Sequence, residues 1–191
     1  MKKLLLFTIL TLITACGSIK NTNDLIADEK FELCTAINSE RRITRFGPKE
    51  GKLIYIQNVH SLLENSLIQG NYLSEISKRG YSELLKKANK KEINSDFFKK
   101  FRSDLEFDPF MLFKLSHHDQ CYSYLIEQLK LLDKSSWQYK FRDAYWKFSA
   151  SGDLDSSCEY LINALNKIPD EKFELIMYRK LFLDIIYTHL N

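Results

Sequence analysis

From Asp24 onward, apolar residues recur at intervals of three and four, the period of helices that turn one face to a core. Asp24 can cap a helix carrying Leu25, Ile26, Phe31, Leu33, Cys34 and Ile37, which ends before Gly47-Pro48. Over 52–69 two patterns compete. Leu53-Ile54-Tyr55-Ile56 is rich in strand formers, while Val59, Leu62, Leu63 and Leu67 keep helical spacing, and the longer pattern predicts a helix. A short helix over 71–79 closed by Gly80 follows, then one over 81–91 with Leu84, Leu85 and Ala88 on its apolar side. Ser95-Asp96 caps a helix with Phe97, Phe98, Phe101 and Leu105 inward. Pro109 opens one over 110–115, and Asp119 one that runs through Leu132. Ser135 or Ser136 starts 137–150, Asp155 starts 156–167, and Asp170 starts 171–190. With short polar turns and no convincing strand pair, the pattern predicts an all-α fold of packed helices.

Tyr124-Leu125-Ile126 with Leu129 recurs 36 residues later as Tyr160-Leu161-Ile162 with Leu165. The second copy carries more: Phe141, Ala144 and Phe148 on one helix, Gly152-Asp153 in a turn, Leu161, Ala164 and Leu165 on the next helix, and Pro169 beyond it. Small residues let two helices approach, glycine permits a positive φ at the helix end, and proline blocks extension. Residues 138–171 thus resemble a tetratricopeptide repeat, departing from it at Tyr145 and Ser157, where that family prefers small residues. The resemblance implies helical hairpins in a short α-solenoid. The stretch 104–137 matches poorly, and three repeats are normally needed for a stable stack, so the amino-terminal half would have to supply divergent hairpins; an irregular helical bundle with a chance repeat is the alternative.

The amino terminus follows a different grammar. Lys2 and Lys3 precede an apolar run from Leu4 to Ile13, broken only by Thr8 and Thr11, and then the small pair Thr14-Ala15. That is the order of a secretory signal, and the run is about half the roughly 20 residues a permanent membrane span needs. Ile13-Thr14-Ala15-Cys16 resembles the lipobox of bacterial lipoproteins. The resemblance implies cleavage before Cys16, lipidation of its thiol and an acyl chain on the new amino terminus. Two or more chains make a firm membrane tether. Gly17 stands where an inner-membrane retention signal would place Asp, which implies the outer membrane, facing the periplasm, in a Gram-negative host. The resulting plan is a removed signal over 1–15, a lipidated tether over 16–23 and one all-helical domain over 24–191.

The 191 residues are 45% hydrophobic and 28% charged, enough to build a core and inconsistent with a disordered or collagen-like chain. Net charge is +3, and removal of Lys2 and Lys3 leaves 26 basic against 25 acidic side chains. So even a balance offers no electrostatic footprint for nucleic acid. Outside the cytoplasm thiols tend to be oxidised, and Cys34, Cys121 and Cys158 allow three pairings with one thiol left over. A Cys121–Cys158 bridge is the expected pairing. Three buried thiols would satisfy the same sequence.

Catalytic signatures are missing: there is no GxSxG elbow, no glycine-rich phosphate loop and no CxxC. His117-His118-Asp119 with Cys121 is the one cluster of metal-ligand types, but a helix would bring together only His117 and Cys121, and Asp119 reads as a cap. His60 and Glu64, four apart, read as a surface pair. No metal and no cofactor is assigned. The most distinctive segment runs from Trp137 to Phe148. Trp137, Phe141, Tyr145 and Phe148 form a core stripe. Tyr139, Arg142 and Trp146 fall on another face, where an exposed Tyr-Arg-Trp strip would suit protein recognition; burial of both faces between neighbouring helices is the alternative. Lys86, Lys87, Lys90, Lys91, Lys99 and Lys100 read as a solvated face, with anionic lipid as a second option. Together these features suggest a lipid-anchored envelope protein, not an enzyme, that binds another protein. It would serve as a scaffold or assembly lipoprotein, or as an immunity or exclusion lipoprotein that neutralises a toxin or mating apparatus. An enzyme or small-ligand carrier is the remaining class.

Overall fold

Ile176–Leu190 carries apolar side chains on almost every face, and a helix with so little polar surface has to be surrounded. In the computed structural model, which describes residues 2–48 and 58–191 and side chains from Asn23 onward, it lies at the centre of the molecule. The order is α1 (Lys2–Phe46), α2 (Val59–Gln69), α3 (Lys78–Asn89), α4 (Ser95–Leu105), α5 (Phe110–Lys114) and α6 (His118–Ser123). A π-helical turn, Tyr124–Gln128, prolongs α6, and α7 (Trp137–Ser151), α8 (Leu154–Leu165), α9 (Asp170–Phe173) and α10 (Ile176–Leu190) complete the chain. The fold is all-α, with no strand among the described residues.

Helix α10 packs against α1, α2, α3, α5, α6 and α9. In a solenoid each repeat touches only its neighbours. One helix against six is instead the mark of an irregular bundle. The α7–α8 hairpin does form as the repeat pattern suggests, with Ser136 capping α7, Gly152 at φ +84° in the turn and Asp153 Oδ1 accepting from Ser156 N at 2.7 Å. Its supposed earlier copy is not a hairpin. Residues 104–137 contain the end of α4, the short α5 and α6, and Tyr124-Leu125-Ile126 lies in the π turn. Aromatic rings fill the core. Phe31 lies 4.6 Å from Tyr122 and 4.7 Å from Tyr178, and Phe113 stacks on Tyr187 at 4.3 Å. Each buried ring contributes about 1.5–3 kcal/mol of transfer free energy.

Several boundaries differ from the sequence expectation. No helix forms over 71–77: Ser77 caps α3, its hydroxyl accepting from Gly80 N at 3.0 Å, so Gly80 opens that helix rather than closing an earlier one. Asn94 caps α4, one residue before the expected Ser95. Helix α6 and its π turn end at Gln128, short of Leu132, and 171–190 divides into α9 and α10. The strand-like Leu53-Ile54-Tyr55-Ile56 lies outside the described residues, as do the side chains of Ile13 to Cys16. The backbone of α1 runs helical through 16–23, the segment read as the lipidated tether, and no glycine or proline interrupts the chain between Gly17 and Gly47. No described helix is long and apolar enough to cross a membrane.

The cysteine pairing is corrected. Cys34 on α1 is bonded to Cys121 on α6, with Cα atoms 5.8 Å apart, and Cys158 is free and buried. Cys121 faces α1, while Cys158 sits on α8 beside Lys86 and Asn89 of α3, so the expected Cys121–Cys158 bridge has no geometry to form.

Candidate functional site

Helix α2 turns His60, Leu63, Glu64 and Leu67 inward at helical spacing, so the pair expected on the surface is buried and its members do not bond each other. His60 instead reaches across to Asp184 in the middle of α10. The third member comes from α6. His117, at φ 50°, turns the chain so that its own ring stays exposed while His118 enters the core. His60 Nε2 lies 2.7 Å from Asp184 Oδ1 and His118 Nδ1 lies 2.6 Å from Oδ2. The two rings meet edge to face at 5.2 Å, and Phe113 closes on His60 at 5.0 Å. His60, His118 and Asp184 are 5%, 1% and 4% exposed.

Since a carboxylate oxygen accepts, His60 donates through Nε2–H and His118 through Nδ1–H. Burial alone would raise the Asp184 carboxyl, but the charge and hydrogen bonds of His118 and His60 outweigh it and hold the carboxyl well below the usual range. Burial pushes His118 down to about 4, against the pull of Asp184. At neutral pH the arrangement is therefore an ionised carboxylate that accepts an N–H from each ring. The other ring nitrogen of His118, Nε2, is buried with no hydrogen-bond partner among the described residues.

Three charged groups surround the cluster. Arg42 of α1 donates Nη1 to the carbonyls of Leu115, at 3.0 Å, and Ser116, and burial lowers it to about 10 while Asp184 opposes the shift. Lys180, one turn before Asp184, is lowered by burial, and Asp119, next to His118, is raised by it. One turn further along α2, Glu64 accepts from Arg179 Nε at 2.7 Å and Nη2 at 2.9 Å and from the Tyr81 hydroxyl. Arg179 Nη1 also donates to the carbonyls of Phe173 and Glu174, which fixes the α9–α10 connection. That second network is saturated and serves packing.

Of the residues singled out from sequence, His118 belongs to the cluster, whereas His117 is exposed and Cys121 is committed to its disulfide. Asp119 lies inside the first turn of α6 and does not cap it. Trp137, Phe141, Tyr145 and Phe148 pack on the core as the stripe predicts. Of the expected exposed strip on α7, Tyr139 and Arg142 are half-buried: the Arg142 guanidinium lies 4.5 Å over the Tyr139 ring and donates to Glu127 at 2.7 Å. Trp146 is 71% exposed and borders a groove of about 560 Å³ with Lys140, Lys147 and Lys167. The lysine run is mostly exposed and locally paired, Lys99 with Asp96 and Lys100 with Asp104, each at 2.7 Å. Sequence reading missed Asp184, Arg42 and Arg179. For Asp184 the signal was there to be read, a lone acid within the apolar run Leu181-Phe182-Leu183-Asp184-Ile185-Ile186. No protein family, curated protein or solved structure matches the chain.

Proposed function

We propose that this chain is a lipid-anchored protein of the cell envelope that works by binding another protein, without catalysis or cofactor, through the outer face of α7. The observation that carries this reading is Trp146, the most exposed large apolar side chain among the described residues, on a helix whose other face is core. Tryptophan and arginine are the residues that most often dominate protein–protein contacts. Arg142 is held in place by Tyr139 and Glu127, so little side-chain freedom is lost when a partner docks. The Cys34–Cys121 bond favours an oxidising compartment, in keeping with the lipobox-like segment at Cys16.

A photoreactive amino acid placed at Trp146 in intact cells tests this reading. The expected result is one cross-linked product of defined mass, absent when the same group is placed at exposed Lys99. Its identity separates a scaffold from an immunity or exclusion role. Equal labelling from both positions overturns the α7 face as the docking surface. Replacing Cys16 with Ala is expected to abolish lipid labelling and release the protein from membranes, and normal labelling of that variant overturns the anchor.

A further inference from the structure

We infer that His60, His118 and Asp184 form a closed binding site for one divalent transition-metal ion of the zinc class, a clasp that ties α2, α6 and α10 together. The three residues supply four donor atoms: His60 Nε2, His118 Nδ1 and both Asp184 oxygens. Taken one per residue, the available ligand atoms all lie within 4.8 Å of one another. Imidazole nitrogen with carboxylate oxygen is a donor set that zinc-class ions accept, at about 2.0–2.2 Å per bond. In the metal-free form each nitrogen touches its own carboxylate oxygen at hydrogen-bond distance, and since ligands about 2.0–2.2 Å from a tetrahedral ion lie roughly 3.3–3.5 Å apart, an ion enters when these gaps widen by about 0.6–0.9 Å and the rings turn their lone pairs to it. No chain segment has to be brought in from elsewhere.

The protonation chemistry allows the exchange. Each ring gives up the N–H aimed at Asp184 by moving that proton to its other nitrogen, and then presents a lone pair to the ion. At His118 no existing bond has to break, because its Nε2 is bonded to nothing among the described residues, but the N–H formed there is buried without an acceptor, a cost that the bond to the ion has to outweigh. Charge around the site is mixed. Asp119 adds a second carboxylate beside Asp184, while Arg42 and Lys180 are cationic, the former already engaged by the carbonyls of Leu115 and Ser116. Burial of all three ligands, with the carboxylate bidentate, describes a structural site and not a catalytic one, which would keep an open position. The clasp closes long loops, 124 residues from His60 to Asp184 and 66 from His118 to Asp184, and a metal clip across long loops gains the most from loop-closure entropy.

The test uses the full chain purified in detergent, stripped with a chelator and titrated with Co²⁺ and then Zn²⁺. The expected result is uptake of one equivalent, with the visible absorption of four-coordinate cobalt, its displacement by Zn²⁺ and a rise in Tm. Asp184→Asn and His118→Gln are expected to weaken uptake by at least about 100-fold, the upper end of what loss of a mere supporting group costs. His117→Gln, which alters the exposed neighbour, is expected to bind as the parent does. If the first two variants do not fold, X-ray absorption of the loaded parent protein decides: two imidazoles in a shell of nitrogen and oxygen support the site, and any other count overturns it. No stoichiometric uptake by the folded parent, or uptake that survives Asp184→Asn, also overturns it and leaves a hydrogen-bonded clasp alone.

Discussion

Glu64 accepts from Arg179 through both oxygens, and Arg179 spends its remaining Nη1 on two backbone carbonyls. Taking two charges out of water is costly, and only this density of bonds makes the pair tolerable; removing one partner strands the other. Arg179→Met is therefore expected to destabilise the protein by about 3–5 kcal/mol, read as a lower urea midpoint at unchanged slope. Adding Glu64→Leu is expected to recover much of that loss, because no buried charge then remains. Strict additivity of the two changes would show that the pair is not coupled. At this scale the sequence told half the story. Spacing of four placed His60 and Glu64 on one face, but whether that face met solvent or α10 depended on residues more than a hundred positions away. His118 carried the right chemistry, and the backbone twist at His117 that sends it inward left no mark in the residue pattern.

The start of α3 shows how an element can depend on a residue that propensity alone would discard. Alanine is ordinarily better than glycine inside a helix by about 1 kcal/mol. At Gly80 the chain doubles back so closely that a Cβ would sit 2.2 Å from the carbonyl oxygen of Glu75. Gly80→Ala is accordingly expected to destabilise by roughly 1–3 kcal/mol, the range for forced overpacking, with the opposite sign to propensity. A thermal melt at or above the parent Tm would show that the 71–77 segment yields freely. The starts of α4, α7 and α8 were legible to within two residues because their caps are side-chain chemistry: Asn94, Ser136 and Asp153 each accept a backbone N–H, as does Ser77 at the start of α3, which the sequence reading passed over. Helix ends were less legible. Asn71, Lys91, Glu106 and Lys130 all take positive φ close to where helices stop, and three of them are residues no rule marks as terminators. The π turn at Tyr124–Gln128 explains why a repeat visible in letters is absent in space.

For the molecule as a whole, the all-α class followed from hydrophobic period, whereas the wrapping of six helices around α10 did not, since any apolar face can pack on any other. The disulfide belongs to that same tertiary level. It joins Cys34 to Cys121 across 87 residues and pins α1 to α6, so it constrains the unfolded chain over nearly half its length. In the chain-entropy account a loop of this size is worth roughly 4–5 kcal/mol, a large share of the stability of any single domain. Reductant is therefore expected to lower the urea midpoint of the parent strongly. Cys34→Ser is expected to match the reduced parent and to respond no further. Cys158→Ala keeps the full response, because its thiol takes no part in the bond. A parent whose unfolding is indifferent to reductant would mean that the bridge does not form. A response lost in Cys158→Ala would instead place Cys158 in the bridge, and a response kept in Cys34→Ser would then name Cys121 as its partner, with α6 turned away from α1 toward α8.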